Sequence, residues 1–150
     1  MSALLSRVHP GLILAALAIF GFAVASYLAA VALAGTVPYC GPVRGCVEVA
    51  TSEYAWIGPI PVAVFGVSYS TLLLGAAIAW WRTGDRRILA GHYGLSLAGL
   101  VFEVYLLYLQ VFVIEAICIW CVLYGISTFL GFLLKVAWLR RETVPAGAGW

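Results

Sequence analysis

Residues 12–34 read LILAALAIFGFAVASYLAAVALA, a run without a single Asp, Glu, Lys, Arg or His. At about 1.5 Å per helical residue it reaches across about 30 Å of hydrocarbon. The tract ALAG at 32–35 has the small-x-small look of a cleavage site. A cleaved leader, however, carries an apolar core of only about 7–15 residues, so the length favours a retained helix. Working outward, three more long apolar runs occupy 62–81, 88–111 and 116–139, the 88–111 run interrupted by His92 and Glu103 and the 116–139 run by Lys135. In lipid, a single segment satisfies its own backbone polar groups only as a helix. The expected fold is therefore an all-α membrane protein, a bundle of four transmembrane helices. Small residues at four-residue spacing, Gly21/Ala25/Ala29 and Gly94/Ala98, are expected to let neighbouring helices approach closely.

Composition agrees with this reading. Of 150 residues, 65% are hydrophobic and 9% charged, and the mean hydropathy is +1.08. A soluble domain carries roughly 25% charged residues. The net charge of +2 gives no footing for nucleic-acid binding. The whole chain, 1–150, is read as one integral membrane domain, with 142–150 an expected disordered tail.

The eight basic residues suggest orientation. Arg7 precedes the first run, Arg82, Arg86 and Arg87 separate the second and third, and Lys135, Arg140 and Arg141 close the fourth. Only Arg44 falls on the other side. Basic residues concentrate on cytoplasmic loops, so both termini are expected to be cytoplasmic and the long 35–61 loop extracytoplasmic.

All four cysteines then share the extracytoplasmic side: Cys40 and Cys46 in the loop, Cys118 and Cys121 at the join of the third and fourth helices. Disulfides persist on that side of a membrane. Four cysteines permit three pairings, and a purely structural staple is one reading. Two features favour exchange chemistry. A helix start offers N–H groups and a dipole that stabilise a thiolate, and the short Cys-x-x-Cys loop gains little as a crosslink. The loop VPYCGPVRGC at 37–46 is rich in turn formers, and Arg44 sits between its cysteines. Two dithiol pairs on one face suit a relay of thiol–disulfide exchange. Zinc is disfavoured: the Cys-x5-Cys and Cys-x2-Cys spacing is no standard ribbon, and His9 and His92 both map to the opposite face.

The apolar setting narrows the electron acceptor. A membrane quinone needs an aromatic-lined apolar pocket beside a thiolate, and Trp120, Tyr124, Phe112, Tyr105 and Tyr108 are the candidate walls. Glu103, at membrane depth, is a candidate proton carrier. Glu115 is read as favourable electrostatics at a helix end.

The motifs SYL at 26–28, Cys40-x5-Cys46, SEYA at 52–55, GPIPVA at 58–63 and YLLYLQVFVIEAICIWC at 105–121 together resemble bacterial vitamin K epoxide reductase homologues, over about residues 10–140. The resemblance implies a quinone-linked thiol oxidoreductase of a bacterial inner (cytoplasmic) membrane that generates disulfides in exported proteins, using ubiquinone or menaquinone. It implies that Cys118 and Cys121 are the active-site pair, with Cys121 facing the quinone and Ser52 near it. It further implies that Cys40 and Cys46 are a shuttle pair, Cys40 attacking Cys118 and Cys46 meeting the partner. Residues 47–56 are expected to form a half-helix at the interface, capping the bundle. Many bacterial members carry a fused thioredoxin-like domain that this chain lacks, so the implied partner is a separate thioredoxin-fold, DsbA-like protein. Animal members have a tyrosine four residues after the second active-site cysteine. Here that position is Gly125, with Tyr124 one earlier, which argues against epoxide reduction as the main activity. A second quinone-linked family of four-helix disulfide-generating proteins carries its Cys-x-x-Cys in the first outer loop, the reverse of the order here.

Overall fold

In a computed structural model, residues 10–42 and 45–143 are described. Arg7, His9, Arg44 and most of the expected tail, 144–150, lie outside them. Helix α1 spans Pro10–Leu33, and the short helix α2 spans Gly45–Thr51, followed by a 3-10 turn over Glu53–Ala55. A two-stranded hairpin, β1 (Trp56–Ile57) with β2 (Ile60–Pro61), leads into α3 (Val62–Thr83). Helix α4 spans Arg86–Tyr108 and continues as a π-helical turn over Leu109–Val113; α5 spans Ile119–Thr143. Among the described residues, four helices are long and apolar enough to cross a membrane. The protein is a multi-pass membrane protein built as a four-helix bundle, with a short half-helix in the loop between its first two spans.

Local chemistry sets the helix ends. Pro10 occupies the first position of α1, where its missing N–H costs nothing and its fixed φ is already helical. Between α3 and α4 the chain reverses in two residues. Gly84 adopts φ 65°, and its N–H reaches back to the Trp80 carbonyl. Asp85 then caps α4 by accepting from the Arg87 N–H at 2.8 Å. The last span differs from expectation at both ends. Helix α5 begins at Ile119 rather than at 116, and it continues through Glu142 and Thr143, the start of the expected tail.

The four long helices pack as a ring, α1 against α3, α3 against α4, α4 against α5 and α5 back on α1. Between spans in lipid, association rests on close backbone approach rather than on water exclusion. The Gly21/Ala25/Ala29 stripe of α1 is buried, and a Cβ added at Gly66 of α3 would sit 3.3 Å from the Ala25 Cβ. The other expected stripe does not pack this way. Gly94 and Ala98 are exposed, and nothing lies within 4 Å of a Cβ at Gly94. The close approach on α4 is instead at Gly99, where the Tyr69 ring fills the space a side chain would take. Lys135 also departs from its expected place: it is 2% exposed, inside the bundle rather than at a membrane surface.

Gly99→Ala is expected to cost about 1–3 kcal/mol through overpacking against Tyr69, measured as a lowered unfolding temperature in detergent. Gly94→Ala, with open space beside it, is expected to leave that temperature unchanged or slightly raised.

Candidate functional site

The cysteine end of the bundle is organised by a break in the path from α4 to α5. The π-helical turn buries Gln110, which is 5% exposed. Its Oε1 accepts the Cys118 N–H at 2.9 Å, and its backbone carbonyl accepts the Ala116 N–H at 2.9 Å. Glu115, at φ 54°, makes the left-handed bend between them. Cys118 therefore stands just before α5 and not within its first turn. Its carbonyl accepts the Val122 N–H at 3.0 Å, and its Sγ accepts the Cys121 N–H at 3.4 Å.

Both Cys118, which is buried, and Cys121 are free thiols. The Cys121 thiol, hydrogen-bonded to that of Cys118, pulls the latter down to about 7 against the opposing effect of burial. The N–H groups of Cys121 and Trp120 act in the same direction. A thiolate at Cys118 is thus within reach near neutral pH.

The loop cysteines are joined as a Cys40–Cys46 disulfide, with a Cα–Cα separation of 6.1 Å. Cys46 lies in the first turn of α2 and is 0% exposed, whereas Cys40 is half-buried. The burial order runs opposite to the expected roles, in which Cys40 faced Cys118 and Cys46 faced outward. Two clamps hold this loop. The Tyr39 N–H donates to the Tyr27 hydroxyl at 3.0 Å, and Trp120 Nε1 donates to the Tyr39 carbonyl at 2.9 Å. The Tyr27 and Trp120 rings pack with centroids 5.1 Å apart. At the other end of the loop, Gly45 presses on the backbone of Ile117 so closely that a Cβ has no room.

Beneath α2 lies a cavity of about 760 Å³ whose lining includes Cys46, Cys118 and Cys121, within the range of small-molecule sites. Phe65, Tyr69 and Phe102 supply aromatic walls, and Glu103 and Tyr124 supply polar groups. Ser52 also lines it, although its hydroxyl donates to the Val49 carbonyl at 2.7 Å. The Tyr124 hydroxyl donates to the Gly66 carbonyl at 3.2 Å and shares a 3.1 Å bond with Ser70.

Of the candidate pocket residues, the structure brings Cys121, Ser52 and Tyr124 together on this cavity. Trp120 is absent from the lining, because its ring and N–H are committed to the Tyr27–Tyr39 clamp. Tyr108 and Phe112 stack on one another, 5.2 Å apart, and are 55% and 68% exposed on the outer surface. Tyr105 is likewise outward, 51% exposed. Phe65, Tyr69, Phe102 and Gln110 were not singled out by sequence. Only Gln110 carried a signal, as an amide deep in an apolar run.

Residues 12–136 match the family model described as the vitamin K epoxide reductase family. No curated protein matches the chain.

Alkylation of Cys118 by iodoacetamide, followed by peptide mass spectrometry, is expected to reach half its limiting rate near pH 7, below the value of about 8.5 for a free cysteine. The rate rises with pH because the thiolate is the reactive form. Cys121→Ala removes the largest lowering influence and is expected to move that midpoint upward.

Proposed function

The chain belongs to the vitamin K epoxide reductase family, an oxidoreductase family that uses quinones and thiol partners, and we propose that it is a quinone-linked thiol oxidoreductase making disulfides for exported proteins. The observation that carries this reading is that Cys46, Cys118 and Cys121 all border one largely apolar, aromatic-walled cavity. Such walls suit a quinone ring, and Glu103 and Tyr124 place polar groups beside it.

The half-buried Cys40 is the sulfur that an external thiol can reach. A thiolate of a thioredoxin-fold, DsbA-like partner attacks Cys40, breaks the Cys40–Cys46 bond and leaves Cys46 as a thiolate facing the cavity. Cys46 then attacks Cys118 of an oxidised Cys118–Cys121 pair, and Cys121 leaves as a thiolate. The partner's second thiol attacks the mixed disulfide at Cys40 and departs oxidised. Cys40 resolves the Cys46–Cys118 bond, restoring the loop disulfide and leaving Cys118 and Cys121 as the free dithiol seen here. A bound quinone, ubiquinone or menaquinone, supplies the sink for the two electrons and two protons released when that dithiol closes again.

The deeper burial of Cys46 supports an inner role for it and an outer one for Cys40. The basic residues Arg82, Arg86, Arg87 and Arg140 at the far end support a cytoplasmic location for that end. On this reading the chain sits in a bacterial inner membrane, with both termini cytoplasmic and the thiol chemistry outside.

In membranes supplied with dithiothreitol, Cys121→Ala is expected to lower quinone reduction by roughly three orders of magnitude or more. Retained reduction would overturn the role of Cys121. Non-reducing peptide mapping tests the loop order. Cys40→Ala combined with Cys121→Ala is expected to trap a Cys46–Cys118 bond. Cys46→Ala combined with Cys121→Ala is expected to give no Cys40–Cys118 bond.

A further inference from the structure

The half of the bundle away from the cysteines contains buried polar groups that thiol exchange does not use. His92 and Lys135 are each 2% exposed and Ser96 is 0% exposed. The Lys135 ammonium donates to the Ser96 hydroxyl, which donates in turn to the His92 carbonyl at 2.9 Å. The ring nitrogens of His92 are buried without a full hydrogen bond, although the Leu73 backbone lies beside the ring. Ionisable side chains at membrane depth are costly, and where they occur they mark routes for ions or protons.

Tyr124 lies between these groups and the large cavity, lining both it and a smaller one. On α5, Tyr124, Ser127, Thr128, Gly131 and Lys135 fall on one helical face over about 16 Å. A second cavity of about 20 Å³ lies against that face, bordered by Ser70, His92, Tyr124, Ser127, Thr128 and Lys135. Room for one water takes about 10–15 Å³ and two to four polar partners, and both are present. Two glycines keep the space open. A Cβ at Gly21 would sit 3.3 Å from Ser70 Oγ and 3.6 Å from Ser127 Oγ, and one at Gly131 would sit 3.9 Å from Lys135 Nζ. Tyr124 borders both cavities, and its hydroxyl bonds to Ser70 at 3.1 Å.

We propose that this column, running from Lys135 and His92 through a water-sized cavity to Ser70 and Tyr124, is a proton path into the large cavity from the face opposite the cysteines. The proposal rests on the quinone-linked reading above. When two thiols become a disulfide they lose two electrons and two protons, and the quinone gains two electrons and two protons as it becomes a quinol. With the path in place, the thiol protons leave on the cysteine face while quinone protons are drawn from the other. The overall reaction is balanced, and it moves charge across the membrane.

The test uses full-length protein in sealed vesicles containing a bilayer quinone and an entrapped pH-sensitive dye. A membrane-impermeant reduced dithiol peptide outside drives only those molecules whose cysteines face outward. Quinol formation and lumen pH are read together. The lumen is expected to become alkaline in proportion to quinol formed, and a protonophore should collapse that change. Lys135→Met and Ser70→Ala are each expected to cut lumen protons consumed per quinol roughly tenfold. Ser70→Ala keeps the test intact if the lysine variant does not fold. Quinol formation with unchanged lumen pH in the unmodified protein would overturn the path and leave these bonds as structural. A wild-type proton ratio in both variants would overturn these residues as its route. Absence of any thiol-dependent quinol would instead sink the enzymatic reading, and this inference with it.

Discussion

The cysteine end of this bundle depends on the hydrogen bond that carries the Cys118 N–H to the Gln110 side chain, 2.9 Å long and buried. An uninterrupted helix through the join would leave no free N–H there, and it would also leave no corner at which a thiol could face both loop and bundle. Breaking the helix exposes donors that the bilayer cannot satisfy, at several kcal/mol for each orphan. The π-helical turn brings Gln110 to the break, and its amide oxygen meets the donor. With the corner secured, Cys118 precedes α5 with its sulfur against the Cys121 N–H, and the short helix α2 has a fixed surface to lie on.

The apolar lid follows from the same corner. Gly45 meets the Ile117 backbone just before Cys118, so the inner loop cysteine is carried under α2 and out of water. The sulfurs therefore work in two settings: Cys40 half in solvent, and the others at a cavity whose walls are mostly carbon. A low-dielectric site strengthens the electrostatic contacts made inside it. It also leaves an isolated polar side chain such as Glu103 with few places to go.

Much of this was legible in the chain itself. Long apolar runs located four spans, because hydrocarbon thickness leaves few other options for them. Their rotation was legible only on α1, through its Gly21/Ala25/Ala29 stripe; elsewhere a span apolar all round gives little sign of which face turns inward. Tyr108 and Phe112, expected as pocket walls, sit four residues apart and share an outward face. The inner aromatic walls come from Phe65, Tyr69 and Phe102 on other helices. The start of α5 moved from 116 to 119 because a side-chain acceptor eight residues away decided it, which no local propensity encodes. Gly94 and Gly99 looked alike by composition, and only the position of the Tyr69 ring separates them.

The paired clamps on the loop set a rate regime as well as a position. Tyr39 is held by Tyr27 and Trp120, and Gly45 by Ile117, and in sequence only five residues separate Tyr39 from Gly45. Trp120 itself stands between Cys118 and Cys121. Sulfurs kept on so short a tether meet as parts of one molecule, at an effective concentration that dilution does not alter. On the proposed relay, exchange between these sulfurs is first-order, and only an encounter of Cys40 with a partner responds to how much partner is present.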